Sequence, residues 1–148
     1  MGDCRGHTVA ILCHSDCDGL AAGAILAKAF ERAGHRIAVE VTGKGGSAWS
    51  PDVSPRLAAR DPQALVVADL GCRSEPILPW VPTIFVDHHR PEGVPPEAVL
   101  ITGYGTNPTP TSGQLAWEYG HNQQLIALTC SLNLRYLLLF FSGVVIKS

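Results

Sequence analysis

Charged side chains are scarce in this sequence, at 16% of 148 residues. Intrinsically disordered chains and coiled coils contain a much larger charged fraction, so this composition excludes both classes. The formal net charge is only −2, which gives a nucleic acid or a membrane no bulk electrostatic attraction. Any anionic ligand would therefore have to be held locally, by metal ions or by helix ends.

Paired cysteines and an apolar secretory segment are also missing. The five cysteines are an odd number, and residues 1–5 contain no hydrophobic signal core. We therefore expect free thiols and a cytoplasmic location. Cys13 and Cys17 flank His14 in a pattern that would suit a zinc clip. No second cysteine pair stands at matching spacing, so an incidental arrangement is the favoured interpretation.

Formal charge almost disappears in the C-terminal part of the chain. From Gly120 onward only Arg135 and Lys147 are charged, and the stretch between residues 125 and 146 is mostly apolar. A membrane span needs about 20 apolar residues, but Arg135 lies at the middle of this stretch, where a charge is costly. We interpret the segment as a buried helix and a strand, with no strong membrane signal. Its apolar surface could support self-association.

Short apolar runs recur between residues 8 and 101, and each is typical of a strand that is buried on both faces. The predicted strands cover residues 8–13, 36–41, 64–68 and 83–86, with an edge strand at residues 98–101. Helical segments separate several of these runs. Strands that alternate with helices predict an α/β fold with a parallel, Rossmann-like sheet and helices on both faces.

Capping residues mark the expected helices. Asp18 would cap a first helix that begins near Gly19 and ends before Gly34. Residues 55–60 predict a short second helix. Thr111 or Ser112 would cap a last helix that runs through Trp117.

Aspartate and histidine side chains follow three of the predicted strands. In chain order they are His14, Asp16 and Asp18, then Asp69, and then Asp87, His88 and His89. The carboxyl ends of parallel strands meet at one edge of a sheet, so these side chains should converge there. Crowded carboxylates repel one another, and a bound divalent cation removes that repulsion. Carboxylate and imidazole ligands suit Mn²⁺, with Mg²⁺, Co²⁺ or Fe²⁺ as alternatives.

Three sequence segments together resemble motifs of the DHH phosphoesterase superfamily. They are His14-Ser15-Asp16-Cys17-Asp18-Gly19-Leu20, Ala68-Asp69-Leu70-Gly71 and Val86-Asp87-His88-His89-Arg90. The family includes RecJ-type exonucleases, oligoribonucleotide and cyclic-dinucleotide phosphodiesterases, and family II inorganic pyrophosphatases. The resemblance covers residues 8–119, and the spacing of the first motif is closer to the RecJ-like and archaeal-type phosphodiesterases.

The resemblance implies a centre for two Mn²⁺ ions. His14, Asp16 and Asp69 would hold one ion. Asp18, Asp69 and His88 would hold the other, with Asp69 as the bridging ligand. These five residues are the metal ligands that the family pattern implies.

The resemblance also implies catalytic and substrate-binding roles. Asp87 would orient a histidine, and His89 and Arg90 would face the substrate phosphate. The helix start would offer backbone N–H groups to an anion, although helix capping is the favoured role. The residues of that helix start are Thr111, Ser112 and Gly113.

The implied activity is phosphodiester hydrolysis by a metal-activated water, on short single-stranded oligonucleotides or small nucleotide diesters. Two departures from the family pattern keep other interpretations open. No aspartate follows Asp87, although the family supplies one as motif IV, and the chain is too short for the usual second, DHHA1-type domain. We expect residues 1–120 to form the phosphoesterase domain and residues 121–148 an apolar segment. The alternatives are a catalytically impaired metal- or nucleotide-binding module, a membrane- or partner-tethered fragment and, ranked lower, a family II pyrophosphatase.

Overall fold

One six-stranded sheet organises the computed structural model, which describes residues 6–122, Ile126 and the backbone of Val145–Lys147. The sheet order is β2-β1-β3-β4-β5-β6, with the first five strands parallel and β6 antiparallel to β5. The strands are β1 (Thr8–Cys13), β2 (Arg36–Val41), β3 (Ala64–Ala68), β4 (Thr83–Asp87), β5 (Ala98–Thr102) and β6 (Val145–Lys147). The predicted α/β fold with a parallel sheet is confirmed.

The central strands are mostly apolar and buried because both of their faces are covered. Alternate side chains of β1, β3, β4 and β5 enter two separate cores. Helices α1 (Cys17–Arg32) and α3 (Ser112–His121) cover one face. Helix α2 (Val53–Ala58) and the loops around Ala48 and Ile77 cover the other. Helices therefore lie on both faces of the sheet, as the sequence predicts.

Helix α1 begins at Cys17 and not at Gly19. Its N-cap is Asp16, whose carboxylate accepts a hydrogen bond from the Gly19 N–H. The expected capping role of Asp18 is therefore wrong, because the extended backbone conformation of an N-cap occurs at Asp16. The far end agrees with the prediction, since Gly34 follows the helix with a φ of 93°.

Strand β5 is not the edge strand that its sequence position predicts. All five of its residues are buried, and β6 pairs with it on the side away from β4. The exposed edge of the parallel sheet is β2, where Val39 and Val41 keep more than a third of their surface exposed. The pairing of β5 with a segment far along the chain explains the difference.

Most of the apolar C-terminal segment lies outside the described residues, and so does the predicted surface for self-association. Within the described part, Ile126 is buried in the core beneath α1 and α3, and the backbone of β6 completes the sheet. No helix among the described residues combines the length and apolar character needed to cross a membrane. The domain division at residue 120 stays a prediction.

Candidate metal centre

Strands β1, β3 and β4 are neighbours in the sheet, and their carboxyl ends bring the predicted ligands together. His14 follows β1, Asp69 follows β3, and His88 follows β4. Asp16 lies on the turn that leads into α1. The convergence of aspartates and histidines at this edge, expected from the order of the strands, is therefore present.

The first ligand group consists of His14, Asp16 and Asp69, whose candidate ligand atoms all lie within 4.8 Å of one another. The Nδ1 atom of His14 is 2.9 Å from Oδ2 of Asp16. The other oxygen of Asp16 accepts the Gly19 N–H at 2.9 Å. That backbone hydrogen bond, with the neighbouring His14, lowers the pKa of Asp16. Asp16 is therefore held as an anion beside His14.

Gly19 is required here for space. A Cβ atom at this helical position would lie 2.6 Å from both the Cβ and the carbonyl oxygen of His14. The first turn of α1 passes directly over His14, so a residue with a side chain does not fit at this position.

The second ligand group consists of Asp69, His88 and His89, again with candidate ligand atoms within 4.8 Å of one another. Oδ1 of Asp69 lies 3.5 Å from Nε2 of His88 and 3.8 Å from Nδ1 of His89. The two imidazole rings meet edge to face, with centroids 4.4 Å apart. Asp69 therefore belongs to both groups, which is the geometry that a bridging ligand needs. Among the described residues, neither group contains a cysteine.

Asp18 lies beside the second group but not in it. Its two carboxylate oxygens accept the backbone N–H groups of Ser112 and Gly113, each at 2.8 Å. Its Oδ2 is also 4.0 Å from Nε2 of His88. The carboxylate thus joins α1 to the N-terminus of α3, and its role as a metal ligand stays a prediction.

The start of α3, for which the resemblance implies an anion-binding role, makes hydrogen bonds within the protein. The N–H groups of Ser112 and Gly113 already donate to Asp18. The Thr111 side chain accepts the N–H of Gln114, which makes it the N-cap of the helix. These donors are satisfied inside the protein, and binding of a substrate phosphate at this segment stays a prediction. The structure supports the capping role for this segment.

Asp87 is a buried carboxylate that holds the second group in place. Its Oδ1 accepts the backbone N–H of His89 at 2.6 Å and lies 2.9 Å from Nδ1 of the same residue. Its Oδ2 accepts the N–H of Gly71 at 2.7 Å, where the chain turns with a φ of 78°. The predicted orienting role of Asp87 therefore has a partner, His89. Arg90 is exposed at the same edge of the sheet.

Asp69 combines burial, backbone strain and crowding by like charge. Only 4% of the residue is exposed, and its φ of 62° is left-handed, a conformation that aspartate tolerates better than most residues. Burial, followed by the charges of Asp18, Asp16 and Asp87, raises its pKa, while a hydrogen bond from Ser112 acts in the opposite direction. A divalent cation would neutralise this charge, so the donor set fits a bound metal.

Two contributors to the centre carry no local sequence signal for the role they have. The buried hydroxyl of Ser112 donates to Oδ1 of Asp69 at 2.8 Å across 43 positions of sequence. Gly71 reaches Asp87 across 16 positions. Gly71 belongs to the motif Ala68-Asp69-Leu70-Gly71, but that motif does not indicate that its N–H binds Asp87.

No family model and no curated protein matches this chain. The solved structures with a similar fold include two RecJ proteins. One is an exonuclease RecJ bound to manganese, with 18% sequence identity and a TM-score of 0.63 over 81% of this chain and 34% of that chain. The other is RecJ from Thermus thermophilus in complex with Mn²⁺, with 20% identity and a TM-score of 0.58 over 81% of this chain and 19% of that chain.

The chain thus spans about a third or less of the length of these two RecJ proteins. At this level of identity, the likeness establishes a common fold. The parallel sheet that places the ligand groups at its carboxyl edge is accordingly a RecJ-like fold.

Proposed function

We propose that this chain is a phosphodiesterase domain that depends on divalent metal, with Mn²⁺ as the preferred ion. The observation that carries the proposal is the position of Asp69 in two ligand groups at once. One shared carboxylate between two sets of ligands is the arrangement used to bind a pair of cations at the site of in-line attack on phosphorus. Both RecJ structures of similar fold are manganese complexes, which supports the choice of ion.

His14, Asp16 and Asp69 would hold one ion, and Asp69 and His88 would contribute to the other, with Asp18 close enough to join. Bound cations would lower the pKa of a water molecule and neutralise charge on the phosphate oxygens. Asp87 orients His89 through Nδ1, which leaves Nε2 for a hydrogen bond or a proton transfer to the substrate. Arg90 would form a charge-assisted contact with a phosphate oxygen.

A substrate can reach the ligand groups directly from solvent. The side chains of Asp16 and His89 are more than half exposed, so the ligand groups open directly to solvent at the edge of the sheet. We infer that the substrates are short single-stranded oligonucleotides or small nucleotide diesters. Inorganic pyrophosphate ranks lower as a substrate, because it would need more basic residues around the site.

A metal- or nucleotide-binding module without turnover is the second candidate. The sequence has no aspartate after Asp87, so the motif IV ligand of the DHH family has no counterpart here. Such a protein would bind Mn²⁺ through the same residues and leave phosphodiesters intact. The two candidates therefore differ in turnover and agree on binding.

The first test is hydrolysis of bis-p-nitrophenyl phosphate with and without Mn²⁺, alongside calorimetric titration of the metal. We expect turnover that depends on Mn²⁺ and falls by about 100-fold or more in Asp69→Asn, because each ion contributes several kcal/mol to the reaction. Asparagine has nearly the same shape as aspartate and tolerates a left-handed φ, so the fold should survive.

Asp52→Asn is the matched control, since its carboxylate is exposed before α2 and pairs with Arg56. It should keep wild-type turnover. Mn²⁺ binding without turnover in the wild type would favour the binding module. Undiminished turnover in Asp69→Asn would contradict the assignment of the site.

A further inference from the structure

The N-terminus of α3 makes two separate connections, one to Asp18 and one to Asp69. The backbone N–H groups of Ser112 and Gly113 donate to Asp18 on α1. The hydroxyl of Ser112 donates to Oδ1 of Asp69 at 2.8 Å. Ser112 is fully buried, so no water competes for this hydroxyl. One residue therefore connects α1, α3 and the carboxylate that both groups share.

The hydrogen bond reaches the oxygen of Asp69 that faces the histidines. Oδ1 lies 3.5 Å from Nε2 of His88 and 3.8 Å from Nδ1 of His89. The backbone of Asp69 is held separately, by its N–H to the carbonyl oxygen of Val86. The carboxylate of Asp69 can still rotate, and the hydrogen bond from the Ser112 hydroxyl to its Oδ1 restrains that rotation.

The position of the Ser112 hydroxyl is itself fixed by Asp18. Because two adjacent N–H groups bind the two oxygens of one carboxylate, the first turn of α3 cannot slide or rotate against α1 without breaking both bonds. Gly113 allows this close approach, since a Cβ there would lie 3.0 Å from Oδ1 of Asp18. The first turn of α3 is thus a rigid support for the hydroxyl.

We propose that Ser112 is a positioning residue that orients the Asp69 carboxylate so that it serves both ligand groups. The inference rests on the proposed function, because it assumes that these groups bind metal. Groups that hydrogen-bond to metal ligands typically change metal affinity by about 10- to 100-fold when they are removed. The loss of one hydroxyl from Ser112 should therefore weaken the centre without removing any ligand.

The test compares Mn²⁺ binding by calorimetry in the wild type, Ser112→Ala, Ser112→Thr and Ser50→Ala. We expect Ser112→Ala to bind at least one Mn²⁺ about 10-fold more weakly and Ser112→Thr, which keeps the hydroxyl, to recover most of the affinity. Ser50→Ala is the matched control. The hydroxyl of Ser50 accepts a hydrogen bond from the Ser47 N–H in the loop between β2 and α2. This variant should bind Mn²⁺ as the wild type does.

Electron paramagnetic resonance of the Mn²⁺-loaded proteins gives a readout that a loss of stability alone would not change. Two ions that share a carboxylate give an exchange-coupled spectrum, and we expect Ser112→Ala to shift toward the spectrum of isolated ions. Equal affinity and an unchanged spectrum in Ser112→Ala would overturn the positioning role. Absence of Mn²⁺ binding in the wild type would instead overturn the proposed function itself. If Ser112→Ala does not fold, weak binding by folded Ser112→Thr overturns the role and wild-type binding supports it.

Discussion

The two ligand groups share Asp69 but depend on very different parts of the chain. In the first group, His14 contacts Asp16 two positions away, and Asp16 is fixed by a hydrogen bond from Gly19 three positions further on. In the second group, His89 is held by Asp87, and Asp87 in turn accepts a hydrogen bond from Gly71 across 16 positions. The first group is built by a local turn, and the second is built by contacts between loops.

Asp16, which lies in the local turn, and Asp69, which both groups share, have different electrostatic environments. The side chain of Asp16 is 55% exposed, and its pKa is lowered by the Gly19 N–H and by His14. The side chain of Asp69 is 2% exposed, and its pKa is raised by burial and by three neighbouring aspartates. A bound cation therefore relieves more unfavourable energy at the shared, buried position. Local hydrogen bonds satisfy Asp16, whereas Asp69 gains most from a metal.

Removing one histidine from each group gives the most direct comparison between them. We expect His14→Ala and His88→Ala each to bind one Mn²⁺ fewer than the wild type and to lose at least about 10-fold in phosphodiester hydrolysis. His14→Ala should leave the His89–Asp87 contact intact, because that contact involves no residue of the first group. Calorimetric stoichiometry checks this expectation. Loss of all metal binding in His14→Ala would mean that the groups do not form independently.

The two glycines beside the groups should respond differently to alanine. In Gly19→Ala, the new Cβ would collide with His14 at 2.6 Å, so we expect a loss of about 1–3 kcal/mol in the free energy of unfolding and a displaced first group. In Gly71→Ala, the Cβ meets nothing within 4 Å, but a φ of 78° costs about 1–2 kcal/mol. Urea denaturation measures both losses, and Mn²⁺ titration locates the damage.

We expect Gly19→Ala to weaken Mn²⁺ binding at the first group and Gly71→Ala to weaken it at the second group. The effect of both variants on Asp69 should be small, because the N–H groups of the two glycines bind Asp16 and Asp87. If Gly19→Ala proved as stable as the wild type, the conclusion that a Cβ at position 19 collides with His14 would be wrong.

His35, a histidine outside both ligand groups, should make the stability of the protein depend on pH. His35 is buried next to the start of β2 and meets the edge of the Phe30 ring at 5.9 Å between centroids. Burial, with a smaller effect from His7, lowers its pKa below the ordinary 6.5. Between these two pKa values the unfolded chain binds a proton that the folded protein does not. The contribution of His35 to stability should therefore fall as the pH drops below about 6.5.

The comparison of wild type with His35→Gln in urea denaturation at pH 7 and pH 5 isolates this effect, which we expect to be the smallest of those described. The variant should lose less stability than the wild type on acidification. An equal loss in both proteins would place the pH dependence elsewhere.

Much of the fold follows from local patterns. The strands at residues 8–13, 36–41 and 64–68 occur at the predicted bounds, because continuous or alternating apolar runs separated by polar turns leave little freedom of choice. The position of β5 was not predictable in this way. Its apolar residues are equally compatible with an edge or an interior strand, and only the pairing with β6 distinguishes the two.

The candidate site shows the same division. The residues of both ligand groups lie directly after strands, and the rule that ligands bind at the carboxyl edge of a parallel sheet is enough to bring them together. The contact of Asp18 with α3 and the hydrogen bond from Ser112 to Asp69 span more than 40 positions. No spacing rule reaches that far, because such contacts depend on how one helix packs against another.

The sequence by itself determined which chemistry is available and at which edge of the sheet it gathers, since strand ends and residue types are both local properties. Only the tertiary structure decided how each carboxylate is used. Packing of α3 against α1 directs Asp18 to the helix N-terminus, and it brings the hydroxyl of Ser112 to Asp69. A carboxylate can cap a helix, orient a histidine or bind a cation, and the choice depends on which donors surrounding elements place within hydrogen-bond distance.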